Sequence, residues 1–170
     1  MPFLTIAAKE VKDSIRNRWL WAAAIAFMGL AVTLAMIGSA PTGDVKGASA
    51  SVVLASLASL SVYLVPLVAL LIAHDAIVSE REFGTLMLLL TYPVPRIQIF
   101  LGKFLGNLIV VGITIFCGYG SAILALAINS EFPLAELAPF VRLFSSAIVM
   151  GGVFIALGMF VSLIARERAT

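Results

Sequence analysis

His74 and Asp75 stand side by side, and a His-Asp pair is a fragment of many metal-dependent hydrolase sites. The chain has one histidine, however, so no second imidazole can complete a ligand set. The apolar runs carry hydroxyls at Ser56, Ser59, Ser61, Ser121, Ser145, Ser146 and Ser162. A nucleophilic serine needs a base beside it, and no carboxylate, histidine or lysine lies within the middle of those runs. Serines in apolar helices mostly bond the carbonyl one turn back or a neighbouring helix. Met28, Met36, Met87, Met150 and Met159 could offer thioethers to copper. They are scattered, though, and read as packing residues. The single cysteine, Cys117, excludes an internal disulfide and any Cys-cluster metal site. The sequence also contains no Gly-x-x-x-x-Gly-Lys-[Ser/Thr] loop, so no nucleotide should bind it. No catalytic, metal or cofactor-binding residue is expected, and the chain does not read as an enzyme.

What remains is a charged segment. Glu80-Arg81-Glu82 is a dense cluster, followed by Phe83 and Gly84. Glycine there supplies a flexible or closely approached backbone position. Thr85 is a plausible N-cap for a short helix from Leu86 to Tyr92, ended by Pro93 and Pro95, with Arg96 beyond. That helix is apolar nearly all round, so it should be covered on more than one side. A membrane can cover one side and a protein partner the other. The segment 80–96 therefore reads as a docking element, with Leu86, Leu89 and their neighbours filling a partner's groove.

The elements that hold this segment follow from composition. Of 170 residues, 62% are hydrophobic and 12% charged, with mean hydropathy +1.12, well outside the range of soluble domains. The net charge of +2 is too small to suggest nucleic acid. Uncharged windows at 19–39, 52–73, 104–130 and 143–165 are each long enough for a bilayer. Backbone polar groups in hydrocarbon must bond internally, so these windows must be helices. Lysines and arginines flanking them divide nine against two, placing both termini and the 80–96 segment in the cytoplasm. Residues 3–18 place Leu4, Ala7 or Ala8, Val11 and Ile15 at helical spacing, with Lys9, Lys12, Asp13 and Arg16 on other faces. Such a basic amphipathic helix lies against membrane lipid, and Trp19 and Trp21 follow at the level of an aromatic belt. Before the third window, Gly102-Lys-Phe-Leu-Gly106 is a small-xxx-small pattern. It serves close helix packing, within one subunit or between two.

Glu80-Arg-Glu-Phe-Gly-Thr-Leu, Leu-Leu-Leu-Thr-Tyr-Pro-Val-Pro-Arg96 and Leu101-Gly-Lys-Phe104 resemble the signature of ABC-2 type transporter permeases. The resemblance implies an all-α polytopic membrane protein with one transmembrane domain over residues 1–170. Its parts would be an N-terminal elbow helix, four transmembrane helices and a cytoplasmic coupling helix between the second and third. It also implies a separate cytoplasmic ABC ATPase as partner, a homodimer of permeases, and the bacterial inner membrane. A narrower resemblance rests on Ala55-Ser-Leu-Ala-Ser-Leu60, Leu64-Val-Pro-Leu67 and Asp75-Ala-Ile-Val78. It is to permeases of the system that matures the copper centres of nitrous oxide reductase in denitrification, which work beside a periplasmic copper-handling protein. Permeases of this family have six spans, so a chain with four is expected to be incomplete at its C-terminus. The competing reading is an ATPase-independent scaffold or half of a secondary transporter. Secondary transporters place broken helices or ionisable groups near the midplane, and this chain shows neither.

Overall fold

The computed structural model describes residues 2–37, 50–82, 95–129 and 137–164. They form five helices: α1 (Pro2–Ile15), α2 (Arg18–Ile37), α3 (Ala50–Glu82), α4 (Arg96–Asn129) and α5 (Leu137–Ile164). The described residues contain no strand. Four of the helices are long and apolar enough to cross a membrane, over Arg18–Met36, Ser51–Ala73, Ile97–Ile128 and Leu137–Ser162. The chain is a polytopic all-helical membrane protein.

Charge does not stop a helix, and two helices continue well past their uncharged cores. α3 runs through Pro66 without interruption and beyond Ala73 to Glu82. α4 opens directly after Pro95, whose carbonyl accepts from the Gln98 N–H at 2.9 Å. Proline thus stands where its fixed φ suits the start of a helix.

The bundle is up-down in its packing. α2 runs parallel to α4, with Phe27 seated where Gly118 has no side chain. α3 runs antiparallel to α4: Ser61 meets Tyr119, while Val65 and Val111 both flank Gly151. α5 also opposes α4, with Phe144 beside Tyr119 and Gly152 beside Phe104 and Leu108. α3 and α5 are therefore parallel, and their closest approach is at Gly158, where an added Cβ would lie 2.7 Å from that of Ala73. These contacts put α1, the start of α2, the end of α3, the start of α4 and the end of α5 at one end of the bundle.

Small residues decide how near the helices come. Lipid tails are as apolar as leucine, so association inside a membrane depends on packing and local polar contacts. The core centres on Phe27, Leu57, Val111, Ile115, Ile155 and Met159, all at most 2% exposed, interleaved with Ala31, Ala69, Ala73 and Ala122. The Phe27 ring meets Tyr119 at a tilt, and Tyr119 meets Phe144 edge to face, at centroid separations of 5.8 and 6.5 Å. The outward faces carry exposed Ile25, Leu67, Phe116, Val149 and Phe160, as a lipid-facing surface would.

Candidate functional site

The polar chemistry gathers at the end of the bundle where α1 lies along α4. α1 ends with Arg16 and Asn17 N–H groups bonded back to Asp13 and Ser14 carbonyls, at 3.1 and 2.9 Å. Asn17 then caps α2, its Oδ1 accepting from the Trp19 N–H at 2.9 Å. The Trp21 indole N–H donates to the Ile15 carbonyl at 2.7 Å, fixing the corner between the two helices.

The face of α1 that meets α4 differs from the apolar stripe read in the sequence. Leu4 and Ile15, members of that stripe, are exposed. The contact face is Phe3, Ile6, Ala7 and Glu10. A Cβ on Gly102 would sit 2.9 Å from Ile6 side-chain carbons and from the Phe3 carbonyl oxygen. One on Gly106 would sit 2.6 Å from Glu10 Cβ and 3.0 Å from the Ala7 carbonyl oxygen. The small-xxx-small pair thus packs against α1 within the same chain.

Between those glycines stands Lys103. Its Nζ donates to Glu10 Oε1 at 2.8 Å, with side chains only 4% and 11% exposed. An ion pair this enclosed is costly to break, because the surviving charge stays buried away from water. One turn further, Asn107 is also fully buried, and its Nδ2 has no hydrogen-bond partner among the described residues. On the outer side of α1, Lys9 and Asp13 make a solvent-facing pair at 3.7 Å.

Within the spans, hydroxyls serve the backbone, as residue type suggested. Thr33, Ser59, Ser61 and Thr114 donate to carbonyls four residues earlier, and Ser121, Ser145 and Ser146 to those three earlier. One hydroxyl pair bridges two helices, Ser61 Oγ with Tyr119 OH at 2.5 Å. Among the described residues no three His, Cys, Asp or Glu side chains come together.

Glu80, Arg81 and Glu82 form the last turn of α3, and Arg96 is the first residue of α4. Phe83, Gly84, Thr85, Leu86, Leu89, Tyr92 and Pro93 lie outside the described residues, as does the expected helix 86–92. Sequence reasoning missed the Glu10–Lys103 pair. A signal was present: Lys103 falls inside the Gly102–Gly106 pattern, so whatever packs on those glycines must also meet its ammonium group. Nothing in α1 itself marked Glu10, rather than Asp13, as the partner.

The chain spans about three-fifths of the length of two curated relatives. Both are named "Probable ABC transporter permease protein NosY". The one from Pseudomonas aeruginosa is 46% identical over 170 residues, covering 98% of this chain and 61% of the relative. The other, from Stutzerimonas stutzeri, is 45% identical over 167 residues, covering 97% and 60%. Residues 4–170 match the family described as ABC-2 family transporter protein. With its long apolar helices, its α1 clamped on α4 and that match over nearly its whole length, the chain belongs to the ABC-2 transporter family.

Proposed function

We propose that the chain is the membrane permease part of an ATP-driven transporter, and that the 80–96 segment receives force from a separate cytoplasmic ATPase. The observation that carries this reading is the pair of helical extensions on either side of that segment. α3 continues from Ala73 to Glu82, roughly 14 Å at 1.5 Å per residue. α4 begins at Arg96, and at this same end α1 is tied to it by Glu10–Lys103. A push on the segment between two such stalks would reach α3 and α4 directly and α1 through the ion pair. The lysine and arginine distribution supports a cytoplasmic location for this end, in a bacterial inner membrane with the permease acting as a homodimer.

In this reading Glu80, Arg81, Glu82, Gly84 and Thr85 position the docking helix, Leu86 and Leu89 enter the ATPase groove, and Tyr92, Pro93 and Arg96 close it. Resemblance to the nitrous oxide reductase maturation permeases, and the names of the two relatives, support copper-site maturation as the process served. A periplasmic copper-handling protein would act on the far side. The test is to reverse the charge of Glu82, or replace Gly84 with a bulky residue, in the protein assembled with its ATPase. ATP hydrolysis should persist while delivery to the periplasmic partner falls. Normal coupling and assembly in both variants would sink the proposal.

A further inference from the structure

We infer that the corner between α1 and α2 is a binding site for one anionic phospholipid, with its acyl chain lodged between α2 and α4. The inference does not depend on an ATPase or on any cargo. A cavity of about 90 Å³ opens there, roofed by Ile15 and walled by Trp21, Ala24, Val110, Ile113 and Cys117. The polar groups at its edge are already satisfied. Trp21 Nε1 donates to the Ile15 carbonyl and Thr114 Oγ1 to the Val110 carbonyl. An apolar space without free polar partners does not hold water well. Its walls continue onto exposed faces of Trp21 and Ile113, on helices long and apolar enough to cross a bilayer. A face of that composition suits hydrocarbon.

Charge close in sequence to the lining residues selects the headgroup. Lys12, Arg16 and Arg18 are exposed, and among the described residues none of them has an ion-pair partner. The two carboxylates of α1 do not neutralise them, because Glu10 is engaged by Lys103 and Asp13 by Lys9. Arg16 follows the roof residue Ile15 directly, and Arg18 precedes the Trp21 wall by three positions. An apolar slot whose lining residues Ile15 and Trp21 are followed and preceded by such cations fits a phosphate-bearing anionic lipid and gives no such advantage to a zwitterionic one.

The chain's own residues supply the probes. Trp19→Phe leaves Trp21 as the sole tryptophan, and Cys117 is the sole thiol, unpaired and exposed. The Trp19→Phe chain is placed in phosphatidylcholine vesicles holding equal mole fractions of brominated phosphatidylglycerol or brominated phosphatidylcholine. Trp21 quenching should report a relative affinity roughly fivefold or more in favour of phosphatidylglycerol, as expected when at least one cation contributes about 1 kcal/mol on an anionic headgroup. Arg16→Gln with Arg18→Gln should abolish that preference while leaving quenching by both lipids. Alkylation of Cys117 by a membrane-permeant maleimide should be slower in phosphatidylglycerol than in phosphatidylcholine. Equal quenching by the two lipids, or a preference that survives the arginine substitutions, overturns the inference. Absence of quenching by either lipid also overturns it, and shows that a protein segment fills the slot. Should the double variant fail to insert, the parent chain decides alone. Native mass spectrometry after extraction from mixed vesicles must then show phosphatidylglycerol retained over phosphatidylcholine, and equal retention overturns the site.

Discussion

The contact of α1 with α4 and the contact of α3 with α5 are both built on glycine, yet they are held by different forces. At Gly158, α5 approaches Ala73 and Leu70 of α3, and the neighbours are hydrocarbon alone. At Gly102 and Gly106, α4 approaches α1 just as closely, but the glycines frame a buried ammonium–carboxylate pair. The first contact gains dispersion energy over many atoms, each contributing little. The second adds one electrostatic bond whose loss would leave a buried charge short of its counter-ion. A close approach in the spans therefore tolerates gradual change, whereas the α1–α4 clamp should behave as an all-or-none fastening.

The largest expected effect tests that fastening. Glu10→Ala leaves Lys103 buried without its carboxylate and should destabilise α1 docking by about 3–5 kcal/mol. Pairing it with Lys103→Met should recover most of the loss, read as the midpoint of unfolding in SDS followed by circular dichroism. A double variant no better than the single one would show that the pair acts through packing rather than charge.

The glycine contacts come next. Gly118→Val places carbon where the Phe27 ring now lies, so ring and helix must move apart. Overpacking of this kind costs about 1–3 kcal/mol, and Gly158→Val should fall in the same range because Ala73 offers no flexible end to yield. Thermal denaturation in detergent would give the two values, and unchanged midpoints would mean the helices separate freely.

Tyr119→Phe removes the Ser61 partner but keeps the ring between Phe27 and Phe144. Interhelical hydrogen bonds in membranes average about 0.6 kcal/mol, so a small drop in the same assay is expected. The smallest effect should be at Gly29 and Gly120, where an added Cβ meets nothing within 4 Å. Alanine there should be neutral or stabilising by up to about 1 kcal/mol through helix propensity. A clear loss of stability at either would point to a partner surface covering that face.

Parts of this architecture were legible in residue order alone. Long uncharged windows require helices, because backbone groups have no other partners in hydrocarbon, and the four apolar helices appear where those windows lie. The use of serine and threonine was equally readable, since a hydroxyl on such a helix finds the carbonyl one turn back before anything else. Helix ends were less readable. The His74–Glu82 turns are charged, and apolarity cannot report a helix that continues past its apolar window, while α4 starts at Arg96, before Lys103 interrupts the apolar run.

The clamp shows the same limit at the level of single residues. Glu10 and Asp13 differ by one helical step and look alike as carboxylates on a basic amphipathic helix. One is buried against α4 and the other faces solvent beside Lys9.

By itself, residue order determined that this chain is helical, crosses a membrane and carries most of its lysines and arginines on one side, because those properties follow from local hydrophobicity, backbone bonding and the position of the charges along the chain. Tertiary structure decided which face of α1 meets α4 and which carboxylate takes Lys103. It also left Arg16 and Arg18 exposed, with no ion-pair partner among the described residues, beside residues that line an apolar slot. Such choices depend on side chains 93 positions apart meeting in space. No periodicity within either segment encodes that meeting.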